Sequence, residues 1–322
     1  MNSFEYMQPN NLESASKFLV KNNSSYAFAG GSDILGLIKD DIVAPKQLVN
    51  LKKINSLNFI KHDKENGLSI GALTKLSDIE NNEIVKTKFS LLSQAISEVA
   101  TLQLRNVGTI GGNICQRPRC FYFRGDFDCI RKGGDTCFAL TGNNKYHCIV
   151  GGGPCYIVHP SDSAVALLAL NAKFKIFNGK DETVIPAKDF FVLPDVDDMK
   201  ENILKDGEIL TEIIIPNPNT ETVSKYIKVK ERGAWDFALV SIAGVFNIKN
   251  KKILDGKITF GGVAPIPWEE ENLNAKLKNI SIDEKSINQL SDSAFNKTDA
   301  LEMNSYKIPL AKNLIKKLLL EI

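Results

Sequence analysis

Several scarcities narrow what this 322-residue chain can do. It has three histidines, His62, His147 and His159, too few and too scattered for a catalytic metal triad. GxSxG, HExxH and P-loop patterns are missing, so no recognisable nucleophile, zinc-protease helix or triphosphate cradle is present. The most apolar stretch, around AVALLALNA, is about half of the ~20 residues that a membrane helix needs. The opening MNSFEYMQPNN lacks the basic start and apolar core of a secretion signal. By its own sequence the chain is expected in the cytoplasm, or in the periplasm if a signalled partner carries it. A net charge of +2 provides no basic field for nucleic acid or for an acidic membrane surface.

What is present is concentrated. All six cysteines and four of the six arginines lie between Cys115 and Cys155, in NICQRPRCFYFRGDFDCIRKGGDTCFALTGNNKYHCIVGGGPC. Elsewhere the basic charge is almost entirely lysine. Successive cysteines are separated by four, eight, seven, ten and six residues, with no CxxC. Structural disulfides belong mainly to small secreted domains, and zinc sites usually show close cysteine pairs. An iron–sulfur cluster tolerates wider spacing, because several turns of one loop can grip it. A metal site is the favoured reading, with His147 and His159 expected as ordinary loop and turn residues.

Along the chain, residues 11–22 place Leu12, Ala15, Phe18 and Leu19 at helical spacing. SYAFAGG reads as a strand entering a Gly-Gly turn, followed by a helix capped by Ser32 or Asp33. QLVNL and GLSIGAL alternate as strands, Thr74 is the expected cap of a short helix, and a long amphipathic helix is predicted from about Ser90 to Leu104. HPSDSAVALLALNA reads as a cap, Ser161 or Asp162, before an apolar helix, and KFKIF, EILTEIIIP and SKYIKVK are strand-like. The polar NPNTET after Pro216 marks a boundary. Beyond it come the strands ALVSIAGVFNI and KITFGGVAPIP and then helices, an α+β arrangement.

Gly30 and Gly31 allow a backbone to approach a ligand closely, and TIGGN at 109–113 is a second such turn. AGGSD is not the GxGxxG of a Rossmann unit, but two such turns point to a phosphate-bearing cofactor. Asp162 is placed either to bond ribityl or ribose hydroxyls or to cap a helix.

AGGSD, GAL, LRNVGTIGGN, HPSD, EIL…IP, KVKERGAWDFALVSIA and GGVAPIPW occur here in one order. In that order they resemble the FAD-binding medium subunits of the xanthine dehydrogenase family of molybdenum hydroxylases. The resemblance implies an α+β fold. A two-part FAD-binding domain of the vanillyl-alcohol-oxidase (PCMH) type spans 1–216, divided near 55, with an iron–sulfur loop at 115–155. A small C-terminal domain of the CO dehydrogenase flavoprotein type spans 222–322. RxRCxYF…C…C…C before HPSD narrows the likeness to the flavin subunit of bacterial aldehyde oxidoreductases, whose loop holds a [4Fe-4S] cluster. That match implies Cys120, Cys129, Cys137 and Cys155 as ligands, with Cys115 and Cys148 at positions where the pattern has an aliphatic or small residue.

For FAD, the resemblance implies Ala27, Phe28, Ala29, Gly30, Gly31, Ser32, Asp33 and Ile34 at the pyrophosphate. Thr109, Ile110, Gly111, Gly112 and Asn113 would lie near the ring and ribityl chain, together with Asp162, Leu210 and Lys228. At Val99 some relatives carry an aromatic residue. The implied partners are a molybdenum-cofactor-binding large subunit and a [2Fe-2S] small subunit, with this chain passing electrons through FAD to an external acceptor. The flavin subunit of 4-hydroxybenzoyl-CoA reductase, which has a longer cluster loop, and a zinc-binding assembly protein are the alternatives.

Overall fold

The computed structural model describes residues 2–21, 24–219 and 221–322. Asn22, where the first predicted helix ends, and Thr220, inside the predicted boundary segment, lie outside the described residues, as does Met1.

Three sheets organise the chain. The first is parallel, with Gln47–Asn50 between Glu5–Met7 and Ser25–Phe28. All four residues of Gln47–Asn50 are buried, so this segment does not alternate as expected. A central parallel strand is covered on both faces, which removes the period-two signal. The helix Leu12–Val20 precedes Ser25–Phe28, and the Asn11 side chain caps it by accepting from the Ser14 N–H. Its Ala15 and Leu19 pack with Val49 and Leu51.

The second sheet is antiparallel and runs Ile60–Asp63, Gly67–Gly71, Ile209–Ile215, Lys173–Phe177, Glu182–Pro186. Its apolar face meets the helices around Phe89, Ile96, Ile110 and Leu168 in the largest core cluster. The long helix expected over 90–104 is in fact two, Ser90–Ser97 and Leu102–Arg105. Ala100 between them adopts φ +48°, a left-handed conformation that ends a helix, and Thr101 caps the next turn. Arg105 then folds back to bond the Val99 carbonyl at 2.8 Å and Glu80 at 2.7 Å. Thr74 is not a cap; its hydroxyl donates to the Phe59 carbonyl at 2.9 Å, and Lys75 holds the cap position.

The third sheet, Thr222–Val229, Val240–Lys249, Lys252–Gly261 and Trp268–Glu269, is antiparallel and packs against the C-terminal helices Glu284–Asp292 and Lys307–Leu320. Between the second and third sheets lies the helix Asp162–Ala169, every residue of which is buried. Ser161, not Asp162, caps it by accepting from the Ala164 N–H at 3.0 Å, which leaves the Asp162 carboxylate free for other partners. Thr259 of the third sheet bonds the Val165 carbonyl at 2.8 Å, fixing this helix to the C-terminal domain.

Candidate functional site

The first glycine turn packs against Val107–Gly108, the segment that leads into the second. A Cβ on Gly30 would stand 2.3 Å from the Val107 carbonyl oxygen, so only glycine permits this approach. Gly31 has φ +77°, and a Cβ there would meet the Phe28 ring and Leu35. Ala27 and Ser32 are exposed, while Phe28, Ala29, Gly30, Asp33 and Ile34 are half-buried around the turn. Thr109 caps the short helix Ile110–Ile114 by accepting from the Gly112 N–H at 3.2 Å. Ile110 points into the core, and a Cβ on Gly111 would lie 2.9 Å from Ala72. Asn113 closes the next contact: its Oδ1 accepts from Ser161 Oγ at 2.5 Å and from Ser163 Oγ.

Asp162, between those two serines, accepts from Tyr226 Oη at 2.6 Å and from Lys228 Nζ at 2.7 Å. Burial raises the Asp162 carboxyl above its ordinary value, against the opposing pull of Lys228 and Tyr226. Lys228 is 1% exposed along its side chain and also donates to the Glu98 carbonyl. Leu210 lies in the main core with Ile213 and Leu168; of the residues implied for FAD, Asp162 is the one that borders the cavity beside the cysteine loop.

The cysteine loop is fastened to this assembly by its arginines. Asp33, at the helix-cap position, makes no side-chain capping bond. Its carboxylate instead accepts from the Arg117 N–H at 2.8 Å, from Arg124 Nη2 at 2.7 Å and from Arg119 Nη1. Burial pulls the Asp33 carboxyl up, but the Arg119 and Arg124 guanidiniums outweigh it and hold it below the usual carboxylate range. Glu201 is the second anchor, meeting Arg131 at 2.7 Å and Arg117 at 3.2 Å. Sequence reasoning missed Glu201, for nothing local marks it.

Cys120, Cys129, Cys137 and Cys155 line one small void together with Arg131 and His147. Cys115 and Cys148 are not on its wall. Cys115 packs toward the main core, where burial and then Glu201 push its thiol up to about 12. Cys148 is fully buried, and burial raises its thiol far above the ordinary value. Cys137 shares a hydrogen bond with Cys155 that pulls its thiol below the ordinary value. Among the described residues no three His, Cys, Asp or Glu side chains are grouped as a single-ion site. The four sulfurs ring a space.

Next to the void lies a larger cavity of about 390 Å³, bounded by Arg119, His159, Asp162 and Phe237. Cys120, His147 and Ile157 form part of the wall of both. His147, expected as a plain loop residue, is 3% exposed, with Nε2 3.3 Å from Cys120 Sγ. Burial, and then the charge of Lys307, push the His147 ring down to about 4. Lys307 is itself sealed from solvent and donates to the carbonyls of Tyr146, His147 and Gly262 at 2.9, 2.9 and 2.7 Å. It pins the cysteine loop to the C-terminal domain, a contact with no sequence signature.

Comparison with known proteins accounts for nearly the whole chain. Residues 2–218 match the FAD-binding domain in molybdopterin dehydrogenase, and residues 225–322 match the CO dehydrogenase flavoprotein C-terminal domain. The chain is 31% identical to the aldehyde oxidoreductase FAD-binding subunit PaoB of Escherichia coli strain K12, over 100% of this chain and 98% of that protein. It is also 31% identical to the glyceraldehyde dehydrogenase medium chain of Sulfolobus acidocaldarius, over 86% of this chain and 83% of that one. In fold it follows a solved carbon monoxide dehydrogenase chain of Hydrogenophaga pseudoflava, with a TM-score of 0.79 at 23% identity, covering 99% of this chain and 96% of that one. Two contiguous domain matches and a full-length relative leave one assignment: the chain belongs to the FAD-binding medium subunits of the molybdopterin dehydrogenase family, the flavoprotein component of oxidoreductases of the molybdenum hydroxylase type.

Proposed function

We propose that this subunit carries a [4Fe-4S] cluster beside its FAD and serves an aldehyde-oxidising enzyme. Electrons released at a molybdenum-binding large subunit would reach it through a [2Fe-2S] small subunit and leave from FAD to an external acceptor. The observation that carries this reading is the shared wall. The void ringed by Cys120, Cys129, Cys137 and Cys155 and the cavity that reaches Asp162 have Cys120 and His147 in common. A cluster and a flavin placed on the two sides would be close enough for direct electron exchange.

The donor set suits the group. Four cysteine sulfurs on one loop are the ligands of a cubane cluster, which supplies one-electron chemistry when bound. Glycine at 30, 31 and 111 lets the backbone pack closely, since Cβ atoms there would meet Val107, Phe28 and Ala72; the first turn would face the pyrophosphate and the second the ribityl chain, with Asp162 beyond Asn113 and its two serines. Lys228 gives its charge to Asp162, so it orients that carboxylate more than it presents a free cation to a flavin ring. The names of PaoB and of the Sulfolobus relative, an aldehyde oxidoreductase and a glyceraldehyde dehydrogenase, support an aldehyde as the substrate of the complex.

Purification of the chain alone and co-expressed with the two partners tests the proposal. Visible absorbance, iron, flavin and molybdenum content should show one non-covalent FAD and about four irons per chain. Aldehyde turnover should appear only in the three-subunit complex. A colourless, zinc-loaded chain would overturn the cluster, and aldehyde turnover by the pure, molybdenum-free chain would overturn the electron-transfer role.

A further inference from the structure

Two buried nitrogens lie against sulfurs of the four-cysteine void. Arg131 Nε lies 3.4 Å from Cys155 Sγ, while its Nη1 is held by Glu201 Oε1 at 2.7 Å and by the Lys200 carbonyl at 3.3 Å. Its side chain is 1% exposed, an unusual place for a guanidinium. On the opposite flank, His147 Nε2 lies 3.3 Å from Cys120 Sγ. The His147 carbonyl is clamped by Lys307 at 2.9 Å and by Asn304 at 3.3 Å, which holds the ring where it is.

We infer that Arg131 and His147 are positioning residues that set the reduction potential of the cluster proposed above, by donating N–H···S hydrogen bonds to its ligands Cys155 and Cys120. The inference rests on that proposed cluster. A ligating cysteine is a thiolate with no proton of its own, so the hydrogen in each contact comes from nitrogen. Reduction places additional negative charge on the cluster and its sulfurs. A donor aimed at sulfur stabilises the reduced form more than the oxidised one, and so raises the potential. Burial strengthens both contacts because little water screens them. The two differ in kind. Arg131 adds a charge that Glu201 partly offsets. His147 adds an N–H dipole, and does so at the sulfur on the wall shared with the larger cavity.

The test is a potentiometric titration of the purified full chain, with the reduced cluster read by EPR and the flavin by absorbance. Arg131→Met, which keeps the length of the stem but places no N–H at Cys155, and His147→Phe should retain iron and flavin. At the wild-type cluster midpoint, their ratio of reduced to oxidised cluster should fall about tenfold, about 59 mV for a one-electron couple. His147→Gln, whose amide keeps an N–H within reach, should stay near the wild-type value and serves as the decisive variant if His147→Phe loses iron. Unshifted potentials in iron-replete Arg131→Met and His147→Phe would overturn the inference. So would an iron-replete His147→Gln displaced by the full tenfold. A wild-type chain without any cluster would instead remove the proposed function on which the inference stands.

Discussion

Lys228 Nζ lies 2.7 Å from Asp162 Oδ2, with 1% and 7% of the two side chains exposed. This pair joins the HPSD turn of the FAD-binding domain to the first long strand of the C-terminal domain. It also orients a carboxylate that borders the cavity beside the cysteine loop. Removing one member of a buried pair strands the other without compensation, at a cost of about 3–5 kcal/mol. Lys228→Met is therefore expected to lower stability by that order and to reduce bound flavin. Asp162→Asn with Lys228→Met should cost clearly less than the sum of the two single changes. Urea unfolding of the four proteins measures the coupling, and strict additivity would show that the pair carries none.

Gly30→Ala should act through the turn and not through propensity. Its Cβ would be forced to within 2.3 Å of the Val107 carbonyl oxygen, and neither backbone can yield cheaply. A loss of about 1–3 kcal/mol is expected from such overpacking, together with a drop in flavin content. Gly233→Ala is the control, since a Cβ there meets nothing within 4 Å. Equal behaviour of the two variants in thermal melts and flavin analysis would disconnect the turn from the cofactor.

Serine at Cys120, Cys129, Cys137 or Cys155 should each strip or destabilise the cluster, because all four line one void. Cys115→Ser and Cys148→Ala should keep nearly full iron. Iron analysis and low-temperature EPR distinguish the sets, and iron loss confined to Cys115→Ser or Cys148→Ala would reassign the ligands.

Lys307 should make stability depend on pH in the alkaline direction. Burial, with Cys148 opposing it, holds the ammonium down to about 7 from an ordinary 10.5. Between those values the unfolded chain binds the proton and the folded chain does not, so stability rises with pH across the window. The slope from this one group is at most about 1.4 kcal/mol per pH unit. Lys307→Met loses that slope and leaves the carbonyls of Tyr146, His147 and Gly262 unpaired. The stability difference between wild type and variant should therefore widen from pH 6 to pH 9 in denaturant titrations. A constant difference would place the Lys307 proton outside that range.

Much of the fold is written in local patterns. Helical spacing of Leu12, Ala15 and Leu19, the Gly-Gly turn after Ser25–Phe28 and the cap before Asp162–Ala169 need only near neighbours, and sequence reads near neighbours well. The cysteine cluster was equally plain, because six thiols in 41 positions is a compositional event. The break at Ala100 was hidden, since what holds its φ of +48° is the return of Arg105 to Val99 and to Glu80, the latter 25 residues away.

By itself, then, the sequence determined the element types, the two glycine turns, the density of thiols and, through ordered motifs, the flavoprotein family. Tertiary structure decided which of these meet. It pressed Gly30 onto Val107, turned Asp33 from a helix cap into the anchor of three arginines, and took Leu210 into the core. It also buried Lys307 against His147 across 160 residues, and set His147 and Arg131 against two of the four sulfurs. The physical reason is common to all of these. A buried charge or N–H is tolerated only where distant backbone and side chains supply its partners, and those partners exist only once the chain has closed.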